Sequence, residues 1–185
     1  DSLIILGVIS IIEFFTLIKK IIDNKIFAFF VNSFFTLYIS FFCFMFLFFS
    51  NILQLKIILF SLLLGCVASD IGGFVFGKIF KGPKLTKISP NKTISGAIGS
   101  IIFTSLTVST SLFYFTKNFN YLILIICLIT SVASQIGDLF FSFLKRKAKI
   151  KDTGNFLPGH GGVLDRIDGI LFGVPTGFYA LILIY

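Results

Sequence analysis

Residues 27–49 read FAFFVNSFFTLYISFFCFMFLFF, without one charged side chain. Wound as an α-helix, the stretch is about 34 Å long, enough to cross a hydrocarbon core roughly 30 Å thick. Residues 121–133, YLILIICLITSVA, repeat the pattern. Of the 185 residues, 56% are hydrophobic and only 13% are charged, and the mean hydropathy is +1.02. A chain this short has no polar surface left to cover so many apolar runs, which sets aside buried helices of a large soluble protein. The fold class expected is all-α: a polytopic membrane bundle with six spans, at roughly 2–18, 27–50, 55–78, 94–116, 121–144 and 163–185. Residues 1–185 read as a single integral membrane domain, with no internal repeat or low-complexity linker.

The basic residues support that layout. Lys19, Lys20 and Lys25 follow the first span, Lys78, Lys81, Lys84, Lys87 and Lys92 the third, and Lys145, Arg146, Lys147, Lys149 and Lys151 the fifth. Six crossings bring these clusters to one side, with Arg166 just inside the last span, and leave Lys56 and Lys117 opposite. By the positive-inside rule that side is cytoplasmic. The net charge of +8 is thus gathered where anionic headgroups and soluble nucleotides are found. Most of these lysines are expected only to set topology, and nucleic-acid binding is not expected, because the loops carry no recognisable binding module. Cys43, Cys66 and Cys127 lie in apolar runs and read as reduced core thiols. The chain begins at Asp1 and its only Met is Met45, so a processed, trimmed or partial sequence lacking N-terminal helices is expected. Segment 2–18 has neither a basic region before it nor a cleavage pattern after it, and reads as a span rather than a signal peptide.

Five acidic residues fall within or at the ends of apolar spans: Glu13, Asp70, Asp138, Asp165 and Asp168. A carboxylate at membrane depth costs several kcal/mol (about 3 on insertion scales) unless it is paired, solvated or metal-bound. Asp70 precedes Lys78, and Asp138 precedes Lys145, by about two helical turns, while Asp165 and Asp168 open the last span. All four are therefore expected near the basic face. Asp165 and Asp168 share one side of a helix and can converge on one ion, which Asp138 could close from another helix. Oxygen ligands without a His or Cys cluster point to magnesium, Mg2+. Interhelical ion pairs, for example with Arg166 or Lys145, are the competing reading. Glu13 stands apart from the cluster and is expected to be structural or to snorkel.

The loop before the last span is the densest polar stretch: residues 142–168 read SFLKRKAKIKDTGNFLPGHGGVLDRID. Gly161 and Gly162 allow close backbone approach, and the helix after them offers N–H groups to an anion, so the turn reads as a phosphate cradle. His160 by itself reads as a hydrogen-bonded loop residue.

Together these residues resemble the signature of the bacterial phosphatidate cytidylyltransferases, S-x-x-K-R-x-x-x-x-K-D-x-G-x-x-L-P-x-H-G-G-x-x-D-R-x-D, at every fixed position from Ser142 to Asp168. Ser134-Gln135-Ile136-Gly137-Asp138-Leu139 looks like the family's Q-x-G-D-L helix, and Ser89-Pro90-Asn91-Lys92-Thr93 resembles its S-P-x-K-T loop. The resemblance covers roughly residues 60–175, with signature loop and last helix at 142–185. It departs where the family continues with Trp-Glu-Gly and this chain has Ile94-Ser95-Gly96, and in its shorter length.

The resemblance implies transfer of a cytidylyl group from CTP to phosphatidic acid, giving CDP-diacylglycerol and pyrophosphate. Asp138 and Asp165, supported by Asp168, would hold Mg2+, with room for a second cation. Lys145 joins them as a catalytic candidate. Arg146, Lys151 and Arg166 would neutralise phosphates, with His160, Gly161, Gly162, Ser89 and Lys92 as further substrate contacts and Asp70 as metal support or a structural pair. The expected setting is a bacterial inner membrane, in contact with membrane lipids, with the site facing the cytoplasm and the protein pairing as a homodimer.

Three rivals were weighed. An ion-coupled transporter would favour charges at the bilayer midplane and an inverted repeat, and neither is found. A CDP-alcohol phosphotransferase would carry D-G-x-x-A-R, whereas Gly169-Ile170-Leu171-Phe172 follows Asp168. A purely structural subunit would not need the dense polar loop.

Overall fold

Apolar length dictates the architecture, and the computed structural model, which describes residues 2–86, 88–117, 120–154, 156 and 161–184, is helical throughout its apolar runs. The helices are α1 (Ser2–Lys19), α2 (Lys25–Ser50), α3 (Leu53–Phe80), α4 (Ile94–Thr116), α5 (Leu122–Lys147) and α6 (Leu164–Ile184). Each is long and apolar enough to cross a membrane. They coincide with the six expected spans to within a few residues. Among the described residues the only β-pairing is an isolated bridge between Lys84 and Thr93.

Polar residues at the ends explain where helices start and stop. The Asn24 side-chain oxygen accepts from the amides of Ile26 and Phe27 at the start of α2, and Asn120 does the same for Leu122 before α5. Thr93 caps α4 by accepting from the Gly96 amide at 3.1 Å. Lys81 closes α3 in the left-handed conformation, φ 44°.

The helices sort into two compact units. One contains residues up to Phe48 together with Phe140–Asp168, and the other Phe49–Leu139 together with residues from Gly169 onward. In the first unit, Phe14 stacks on Phe35 with ring centroids 3.7 Å apart, and Phe141 meets Phe35 edge-on. These rings, with Leu17, Ile18 and Ile39, form its buried apolar side.

In the second unit α3 and α4 lie against each other along small residues. A methyl added at Gly72 would come within 2.5 Å of the Gly99 carbonyl oxygen, so the two backbones meet only because both positions are glycine. Hydroxyls bond across the same seam: Ser100 donates to the Ser69 carbonyl at 2.7 Å, Thr104 to that of Gly65 at 3.2 Å, and Ser61 pairs with Ser111 at 2.9 Å. Below them Val108, Leu112, Ile123 and Cys127 form a buried apolar cluster.

Candidate active site

Between α3 and α4 of the second unit, the chain from Gly82 to Thr93 folds back on itself. Pro90 follows Ser89, and the Lys92 amide returns to the Ser89 carbonyl at 3.1 Å, a β-turn with proline at its favoured second position. Leu85 N bonds Lys92 O at 2.8 Å, and Ile94 N bonds Pro83 O at 3.0 Å. Held in this way, Lys92 extends its ammonium to the carboxylate of Asp138 on α5. Lys92 and Asp138 are 26% and 31% exposed in their side chains, because the pair opens onto a cavity of about 310 Å³. Asp70 on α3, Ser89, Thr93 and Gln135 also line it. Two carboxylates face one ammonium there, so the cavity retains net negative charge and favours a further cation.

The donors around this cavity are oxygens: carboxylates of Asp70 and Asp138, hydroxyls of Ser89 and Thr93, and side-chain amides of Asn91 and Gln135. Among the described residues no three of His, Cys, Asp and Glu gather as a metal group within either unit. An oxygen donor set of this kind is one that magnesium would accept, with waters and substrate phosphates completing its shell. A cation on Asp138 would replace the Lys92 ammonium.

The first unit holds the signature loop, and here Asp165 is enclosed by donors of the chain itself. Asp165, in the first turn of α6, takes the Lys145 ammonium on Oδ1 at 2.7 Å. Its Oδ2 accepts from the Thr153 amide at 2.8 Å, the Thr153 hydroxyl at 3.0 Å and the Gly162 amide at 3.0 Å. The competing ion-pair reading is therefore realised for Lys145 and Asp165. A cation could reach Asp165 only by displacing Lys145.

Two expectations need correction. Glu13 has the structural role expected of it but does not stand apart from the acidic cluster: it shares the Thr153 hydroxyl with Asp165 and accepts from the amides of Val163 and Leu164. The amides expected to be free for a phosphate at the start of α6 are likewise engaged. The amides of Gly162, Val163 and Leu164 already donate to Asp165 and Glu13, so the anion at the start of α6 is the protein's own. Gly161 remains a true glycine position, with φ at +83°.

The other candidates fall as follows. Arg146, Lys151 and Arg166 are exposed, and Asp168 is buried in α6. His160, with Leu157, Pro158 and Gly159, lies outside the described residues. Ser89, Lys92 and Asp138 are brought together with Asp70, while Lys145, Asp165 and Gly162 meet in the other unit. Sequence reasoning missed Glu13 because its partners are about 140–150 positions away. It also missed Thr153, which sits at a variable place in the signature. The one available signal was that Glu13 precedes Lys19 by about the same two helical turns that separate Asp70 and Asp138 from their lysines.

A model of the cytidylyltransferase family matches residues 2–184 of the chain. A phosphatidate cytidylyltransferase of Rickettsia felis is 42% identical over 129 residues, covering 64% of this chain and 56% of that protein. Proteins of the same name from Helicobacter pylori and Staphylococcus aureus are 41% and 47% identical over 128 and 110 residues. Those matches cover 65% and 58% of this chain, and 45% and 42% of the relatives. The chain thus spans about half the length of the relatives it matches.

Proposed function

Because this chain belongs to the cytidylyltransferase family, we propose that it transfers a cytidylyl group from CTP to phosphatidic acid, releasing pyrophosphate and forming CDP-diacylglycerol. The observation that carries the reading is the Lys92–Asp138 pair, drawn from two separate motifs and opening onto an oxygen-lined cavity with Asp70. In this reaction a phosphate oxygen of phosphatidic acid attacks the α-phosphorus of CTP, and the bond to the β-phosphate oxygen breaks. The attacking oxygen is already ionised, so the protein needs no nucleophile of its own, only charge neutralisation and alignment.

Mg2+, when bound, would supply charge neutralisation on the reacting phosphates. Of the carboxylates expected to hold it, Asp138 faces the open cavity with Asp70 and is the one proposed here, whereas Asp165 is already held by Lys145 and the loop and Asp168 is buried in α6. With a cation held at Asp138, Lys92 would be left to face a substrate phosphate. Lys145 keeps Asp165 neutralised. Arg146, Lys151 and Arg166 meet the triphosphate or the lipid phosphate, the arginines by bidentate pairing. The cytoplasmic face of a bacterial inner membrane suits this chemistry, since one substrate is a lipid and the other is soluble. A homodimer is part of the same reading.

The test is direct. The protein in detergent, given phosphatidic acid, labelled CTP and Mg2+, should form labelled CDP-diacylglycerol and pyrophosphate in equal amounts, and chelation should stop it. No lipid-linked label in the presence of all three would remove the proposal.

A further inference from the structure

The transfer reaction as described gives no part to Glu13, although this side chain is only 6% exposed. Its oxygens face donors alone. Oε1 accepts from the Val163 amide at 3.0 Å, and Oε2 from the Leu164 amide at 2.8 Å and the Thr153 hydroxyl at 3.0 Å. Among the described residues no Lys or Arg forms an ion pair with it. The positive end of α6 meets the charge instead, where a helix offers amides without internal partners.

We infer that Glu13 is a positioning residue for the transfer step: an internal hydrogen-bond acceptor that seats the start of α6 and the signature loop so that Asp165 and Lys145 stay in register. This rests on the function proposed above. Three features carry it. Consecutive amides are divided between two carboxylates, Gly162 donating to Asp165 and the next two to Glu13. The Thr153 hydroxyl lies 3.0 Å from both Glu13 and Asp165, and its single proton ties the placement of one carboxylate to the other. The loop is also shaped to the Glu13 side chain. A methyl at Gly154 would lie 2.6 Å from Oε1, and one at Gly162 would lie 2.5 Å from Oε2.

Without Glu13, the two amides and the Thr153 hydroxyl would lose an acceptor, and the loop that also holds Asp165 beside Lys145 would lose its seat. The arrangement also assigns the substrate phosphates to side-chain cations, because the start of α6 is already closed by charge.

The test pairs kinetics with hydrogen–deuterium exchange on Glu13→Ala, Glu13→Gln and Gly154→Ala. The account predicts faster exchange at Val163 and Leu164 in all three. It predicts a fall in kcat of about a hundredfold for Glu13→Ala, the scale of a misplaced catalytic group, with KM for CTP changed by less than about threefold. Glu13→Gln keeps the length and one acceptor oxygen, should fold even if the alanine variant does not, and should fall between the two. Wild-type exchange at these amides in Glu13→Gln and Gly154→Ala would overturn the inference. So would a lowered melting temperature with unchanged kcat in the folded fraction. If the wild-type protein made no CDP-diacylglycerol, the proposed function would fail, while exchange at Val163 and Leu164 would still decide whether Glu13 seats the loop.

Discussion

Two lysine–aspartate pairs serve the two units in opposite ways. Lys145 and Asp165 are 13% and 8% exposed, and Asp165 has three further donors from the loop. Lys92 and Asp138 are two to four times more exposed and line a cavity that a second carboxylate, Asp70, makes negative. The difference separates an anchor from a place for exchange. A carboxylate surrounded by backbone amides cannot give them up without unseating the loop. One that faces an open cavity and a flexible lysine can trade its ammonium for another cation.

The sharpest way to break this contrast is Asp138→Asn. It should lower CTP-dependent formation of CDP-diacylglycerol by about 10³-fold or more, roughly 4 kcal/mol of barrier, while the protein still inserts in the membrane. Near-normal turnover would deny Asp138 its role. Next come the two lysines, compared by thermal melting in detergent. Lys145→Ala leaves a buried carboxylate without its cation and should cost about 3 kcal/mol, whereas Lys92→Ala should cost about 1 kcal/mol or less. Equal losses would mean that the two pairs do not differ in kind.

Smaller effects belong to the scaffold beneath the cavity. Gly72→Ala drives a methyl to 2.5 Å from the Gly99 carbonyl and should cost about 1–3 kcal/mol, seen as a lowered melting temperature. Ser100→Ala removes the bond to the Ser69 carbonyl and should cost only about 0.6 kcal/mol, the usual size for such bonds between membrane helices. A larger loss at Ser100 than at Gly72 would shift the weight of the seam from close packing to hydroxyls.

The helices were legible because a bilayer sets a minimum apolar length, and runs such as 27–49 meet it with no competing reading. Asp138 and Lys92 were legible as candidates because each lies in a recognisable short motif. Their pairing was not, since nothing in the spacing says that the loop from Gly82 to Thr93 turns back over α5. The glycines at 161 and 162 misled for a physical reason. They signalled an anion close to the backbone, and the anions there proved to be Asp165, which takes the Gly162 amide, and Glu13, supplied by α1, which takes the next two. A lone acidic residue in an apolar run says that a partner exists without saying where.

The account turns on Asp138 exchanging an ammonium for a divalent cation. Titrating the protein with Mn2+ in the presence of CTP, followed by electron paramagnetic resonance, reads that step without turnover. The account predicts saturable binding to the wild-type protein and affinity at least about tenfold weaker in Asp138→Asn. Equal affinity in the two proteins would contradict it.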